Sequence, residues 1–167
     1  MVLVTHRTLR VLLATAVMAL IPNLLLAQTA AGRTTTRDHK GHHHEAPHGG
    51  TLVEVGDHFA FLEFVHDADA GTLTLYVLDG SAEKAVRVTH TSVTFMLNRQ
   101  GAPAVPIELK ARARAITGET VGDTSEFVGS ADVLKAVKGG SGRVVHLTIK
   151  GQTIKDLAVT WPVGDRP

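Results

Sequence analysis

"TLVEVGDHFAFLEFVHDADAGTLTLYVL", Thr51–Leu78, is the stretch whose period decides the fold. Large apolar residues recur at every second position, the period of a half-buried strand and not of a helix. Gly56-Asp57 separates two such runs. Glycine at the first central position suits a two-residue type II′ turn. That turn sets Val55 opposite His58. Ala60, Leu62 and Phe64 then share a face with Val53 and Val55. A second reversal through "DADAG" adds Leu73, Leu75 and Val77 to the same face. The opposite face carries Glu54, Phe59, Phe61, Glu63, Thr72, Thr74 and Tyr76. One apolar face of this kind pins the register, because a slip of one residue turns it to water.

The same period continues downstream. Further strands are expected over Val86–His90, Ser92–Asn98, Ile107–Ala111, Val144–Ile149 and Lys155–Trp161. Pro103 and Pro106 mark a loop or an edge. "SADVLKAVKGG" (Ser130–Gly140) reads as one short helix near residues 131–138, capped by Ser130 and ended by glycines. Eight or so short strands point to an all-β fold, an immunoglobulin-like antiparallel β-sandwich, spanning residues 48–165 as a single domain.

Ahead of it, residues 1–31 have the layout of a signal peptide. Two arginines and no acid precede the apolar run Val11–Ala27, which Pro22 and Asn23 interrupt. Small residues follow, with cleavage after Ala27 or Ala31. The run is shorter than the ~20 residues of a membrane span, so removal is expected, leaving no membrane span in the mature chain. Export to the periplasm or the extracellular space by a Sec-type route follows. The mature chain keeps 15 of the 17 basic side chains against 16 acidic ones. That near-neutral balance gives no basis for binding nucleic acid. The absence of cysteine excludes disulfides and thiolate metal sites.

Residues 32–47, "GRTTTRDHKGHHHEAP", contain nothing apolar larger than Ala and Pro. They read as a His-rich disordered linker. "DHKGHHHEAPHGG" holds five of the ten histidines. Imidazole and carboxylate suit borderline divalent ions such as zinc, copper(II) or nickel. The candidate metal ligands are His39, His42, His43, His44, His48 and Glu63. In the hairpin register His48 and Glu63 fall one diagonal step apart on one face, while His58 lies at the far end. A flexible run loses backbone entropy when it wraps an ion, so such binding is weak. The bland alternative is a polar tether. "KARAR" (Lys110–Arg114) reads as a charged strand edge that deters aggregation. No nucleophile or acid/base pair can be placed in a pocket, so the reading is non-enzymatic.

The segment "HGGTLVEVGDHFAFLEFVHDADAGTLTLYVLDG" resembles small exported bacterial β-domains that begin with a His-Gly-Gly motif. Related segments are similar to parts of periplasmic proteins associated with heavy-metal efflux systems. The match covers about residues 48–80, with a weaker stretch through "SEFVGSADVLKAV". The resemblance implies a periplasmic location and metal handling, with His48 and Glu63 carried over. The chain lacks the helical hairpin and lipoyl-like region of efflux adaptors. Two functions stand side by side. One is a secreted or periplasmic accessory protein that binds a divalent metal through its N-terminal segment, with an envelope or efflux protein as partner. The other is a non-catalytic extracytoplasmic interaction module with no metal role, contacting a partner through Phe59, Phe61, Tyr76 and Leu78.

Overall fold

The computed structural model describes residues 44–135 and 137–161. The signal-peptide segment and His39, His42 and His43 of the linker lie outside these residues. Eight strands form: β1 (Thr51–Val55), β2 (Ala60–Asp67), β3 (Thr72–Leu78), β4 (Ser92–Arg99), β5 (Ala102–Ala111), β6 (Glu126–Ser130), β7 (Gly140–Ile149) and β8 (Gln152–Trp161). Every ladder is antiparallel, in the order β1-β2-β3-β6-β5-β4-β7-β8. The fold is therefore all-β. The ladder runs through all eight strands as one sheet that nearly closes, with β1 approaching β8. A division into two immunoglobulin-like sheets is not confirmed.

The core fills the inside of this curled sheet. Leu62, Phe64, Leu73, Leu75, Phe95 and Phe127 are essentially sealed from water. Phe95 packs against both Phe64 and Trp161, with ring centroids 5.7 and 5.6 Å apart. Burial of such side chains contributes about 1.5–3 kcal/mol each.

The first hairpin departs from the expected turn. Val55 pairs with Ala60, not with His58, and Leu62 pairs with Val53. The loop is four residues, Gly56–Phe59. Gly56 and His58 both take left-handed backbone, with φ of 65° and 53°. Phe59 N–H donates to Val55 O at 3.2 Å, and Glu54 caps the turn by accepting His58 N–H at 2.8 Å. Two extra turn residues move the pairing by two, an even step, so the paired strand residues keep their expected faces. Phe59, expected on the outer face, instead falls in the loop and packs against the main core.

Three further expectations are corrected. Residues 86–90 form no named strand: Val88 makes only an isolated bridge to Thr124 and is buried in the main core, with Val86 packed against it. The helix expected near 131–138 shrinks to a 3-10 turn, Asp132–Leu134. Its cap residue is Ala131, with no side-chain hydrogen bond, because Ser130 is already spent in β6. The turn serves to bury Leu134. β6 is an additional strand, and it bridges β3 to β5 in mid-sheet.

The outer face of β2 and β3 is also covered. Phe61, Leu78 and Ala82 form a second small cluster, with Leu52 and Tyr76 against it. Asp79 organises the covering loop by accepting the N–H groups of Ser81, Glu83 and Lys84. The apolar surface expected to meet a partner, Phe61 and Leu78 above all, is thus taken up within the chain.

Candidate functional site

The His-Gly-Gly motif has a steric meaning. Gly49 adopts φ 72° and turns the chain just ahead of β1. Its N–H donates to Ala46 O at 3.0 Å. Gly50 lies so close to β2 that a Cβ would sit 2.5 Å from Phe64 O. These two glycines press His48 onto the outer face of the sheet.

Glu63 waits for it there, in mid-β2, fully buried at 0% exposure. Its Oε1 accepts the N–H of His48 at 2.8 Å and of Gly50 at 2.9 Å. Its Oε2 meets His48 Nδ1 at 2.7 Å. A carboxylate only accepts, so Nδ1 carries the proton and Nε2 carries the lone pair. The imidazole stacks on Tyr76 with centroids 3.6 Å apart and planes 6° from parallel. His48 thus has a fixed position and a fixed tautomer, and its side chain keeps 34% exposure.

A row of cross-strand partners extends from this pair: Leu52, Glu63, Tyr76 and Glu126 lie side by side. Glu126 is buried and is closed over by two guanidiniums. Arg112 Nη1 donates to its Oε1 at 3.1 Å, and Arg114 Nε pairs with its Oε2. Arg114 also lies over the Tyr76 ring, 5.9 Å from the centroid. Burial raises the pKa of Tyr76, and the Glu126 carboxylate adds to that rise. The "KARAR" stretch is therefore no plain solvated edge. Lys110 stays exposed near Glu108, but Arg112 and Arg114 neutralise a buried acid.

A third buried acid, Glu119, completes the surroundings. It accepts from Ser125 N–H at 3.0 Å and from Thr117 Oγ1 at 2.9 Å. Burial pushes its pKa up, but those hydrogen bonds and the Arg87 charge outweigh burial and leave it below the usual carboxylate value. His48, Tyr76, Arg87, Arg114, Glu119 and Glu126 line a cavity of about 240 Å³. The carboxylates there are already paired with donors or guanidiniums, whereas among the described residues no hydrogen bond engages His48 Nε2.

Of the expected ligands, His48 and Glu63 are brought together. His44 stands elsewhere: its Nδ1 hydrogen-bonds Ser81 O at 2.9 Å and its ring packs on Phe61. The sequence reading placed Tyr76 on the outer face as a partner contact but not against His48, and it missed the part of Arg114, Glu119 and Glu126. Among the other histidines, His66 Nε2 bonds Leu134 O at 2.8 Å. His90 Nε2 accepts Thr148 N–H at 2.9 Å, its ring 5.3 Å from that of His146. Compared with protein-family models, curated proteins and solved structures, the chain matches none of them.

Proposed function

We propose that the chain is an extracytoplasmic accessory protein that binds a divalent transition metal beside a heavy-metal efflux system. His48 Nε2 is its ordered ligand. The preceding histidines, His39, His42 and His43, supply further donors. The observation that supports this reading is the Glu63–His48 pair. A carboxylate that holds Nδ1–H aims Nε2 outward and raises its basicity, the outer-shell arrangement that accompanies metal-ligating histidines. Glu63 has both oxygens engaged and no exposure, so its role is to orient the imidazole. Zinc, copper(II) and nickel are the ions that suit such donors.

Zinc titration of the full chain by calorimetry tests the reading. His48→Ala weakens the tightest phase at least tenfold. Glu63→Gln presents an amide to Nδ1, favours the opposite tautomer, and weakens it by about 10–100-fold. Replacing His39, His42 and His43 by Ala removes the remaining weak phases. Equal zinc binding by wild type, His48→Ala and Glu63→Gln would sink the proposal.

A further inference from the structure

The cavity beside His48 holds polar groups that the fold leaves uncommitted, and apart from His48 Nε2 they are donors. Glu119 and Glu126 are engaged by Ser125, Thr117 and the guanidiniums of Arg112 and Arg114. Arg87 is committed as well. Its Nη1 donates to Asp123 at 2.9 Å, its Nη2 donates to Thr117 O, and its Nε lies 4.0 Å from Glu119. Arg114 differs: its Nε pairs with Glu126, but among the described residues neither Nη group has a partner. The Tyr76 hydroxyl likewise makes no hydrogen bond among the described residues. Burial and the Glu126 carboxylate raise the Tyr76 pKa, so the phenol keeps its proton and can donate it.

These groups gather around one ring. The His48 imidazole lies 3.6 Å from the Tyr76 centroid and the Arg114 guanidinium 5.9 Å from it, so one small molecule can reach all three. The cavity they line is about 240 Å³, below the ~300–1,000 Å³ of pockets that take larger ligands. Leu78 and Ala85 add an apolar patch to its wall.

Charge selects the same kind of occupant. Arg87 and Arg114 balance Glu119 and Glu126 around the cavity. A divalent ion on His48 Nε2 brings two positive charges, of which Glu63 behind the imidazole offsets one. A monoanion offsets the other. A zinc ion with few protein ligands keeps an open position for an exogenous group. A carboxylate offers two acceptor oxygens, and a guanidinium binds it through paired N–H groups.

We propose that this cavity takes a small carboxylate, one oxygen accepting from Arg114 Nη and Tyr76 Oη and the other completing the metal held by His48 Nε2. The inference rests on the metal reading of His48 and names the co-ligand of that site.

Acetate is the probe. Zinc is titrated calorimetrically into the full chain in acetate and in perchlorate, at equal pH and ionic strength, with zinc–acetate binding in solution subtracted. Acetate tightens the tightest zinc phase about fivefold, the scale of one net hydrogen bond. Arg114→Lys keeps a charge beside Glu126 but loses the Nη fork. Tyr76→Phe keeps the ring under His48 but loses the hydroxyl, a change of one oxygen that leaves the packing in place. Each removes most of the acetate gain, whereas Arg112→Lys, outside the cavity, retains it. Equal zinc affinity in acetate and perchlorate, or a gain that persists in Tyr76→Phe, overturns the inference. His48→Ala in perchlorate separates the two claims. Zinc binding that ignores this change removes the metal reading and the carboxylate with it, whereas zinc binding that needs His48 but ignores acetate removes the carboxylate alone.

Discussion

The two ends of the β1–β2 hairpin each pair a histidine with a glutamate, and the pairs differ in almost every physical respect. At the strand start, His48 and Glu63 meet at 2.7 Å around a carboxylate with no exposure. At the tip, His58 Nδ1 and Glu54 stand 3.6 Å apart with side-chain exposures of 50% and 43%. Burial makes the first acid part of the scaffold. A carboxylate taken out of water must be compensated by hydrogen bonds, and Glu63 takes three. The exposed acid faces no such demand and keeps capacity for a ligand. The difference teaches that burial, more than residue type, separates a carboxylate committed to the scaffold from one that stays largely in solvent.

Glutamate removal gives the largest contrast. Glu63→Ala strands the N–H groups of His48 and Gly50 and empties space in mid-sheet. Two unmet donors and the lost imidazole bond cost about 3 kcal/mol. Glu54→Ala removes an exposed turn cap and changes stability by about 0.5–1 kcal/mol. Urea unfolding of both variants measures the pair. Equal losses would break the comparison.

The glycines sharpen it. Gly50→Ala forces a Cβ against Phe64 O and must push β1 away from β2, at a cost of about 2 kcal/mol. Gly49 has no atom within 4 Å of its ideal Cβ but holds φ 72°, so Gly49→Ala costs about 1 kcal/mol through backbone strain alone. Thermal unfolding should rank them in that order. Gly50→Ala should also broaden the His48 imidazole resonances, because its N–H helps hold Glu63. A Gly49→Ala variant less stable than Gly50→Ala would show that close approach is not what the second glycine serves.

Legibility in the sequence followed the same division. The apolar face of β1 to β3 was readable because alternation is a local signal. It even survived a wrong turn: the four-residue loop shifted the pairing from Val55–His58 to Val55–Ala60 without exchanging faces. The juxtaposition of His48 and Glu63 followed from that parity. The burial of Glu63 did not. It depends on His48 and Gly50 closing over the carboxylate from the segment ahead of β1, and nothing local announces that. β6 was hidden for a related reason. "EFVGS" is only five residues, and its Glu126 looks like a surface residue until Arg112 and Arg114 close over it. The helix expected near residues 131–138 failed because a plausible cap, Ser130, belonged to that unseen strand. Long-range partners decided each of these cases.

His90 sets a limit on treating the histidines alike, and its effect is the smallest. His44 and His48 donate through Nδ1, and His66 donates through Nε2 to a carbonyl, so protonation of those rings leaves their bonds intact. His90 instead accepts, through Nε2, the N–H of Thr148. Protonation destroys that bond and leaves a strand amide without its partner. Burial lowers the His90 pKa from 6.5, and the neighbouring His146 lowers it further. For a base whose folded-state pKa is depressed, the unfolded chain binds the proton more readily. The His90 contribution is therefore complete above about pH 6.5 and declines as the pH falls through that value toward the folded-state pKa. Urea midpoints measured from pH 7.5 to pH 5 should show a shallow loss that disappears in His90→Phe. His146→Ala should shrink the loss, since removing a repelling charge raises the folded-state pKa of His90 back toward 6.5 and narrows the window. A wild-type midpoint that rose on acidification across this window, with His90→Phe flat, would mean that the ring donates to β7 instead of accepting from it.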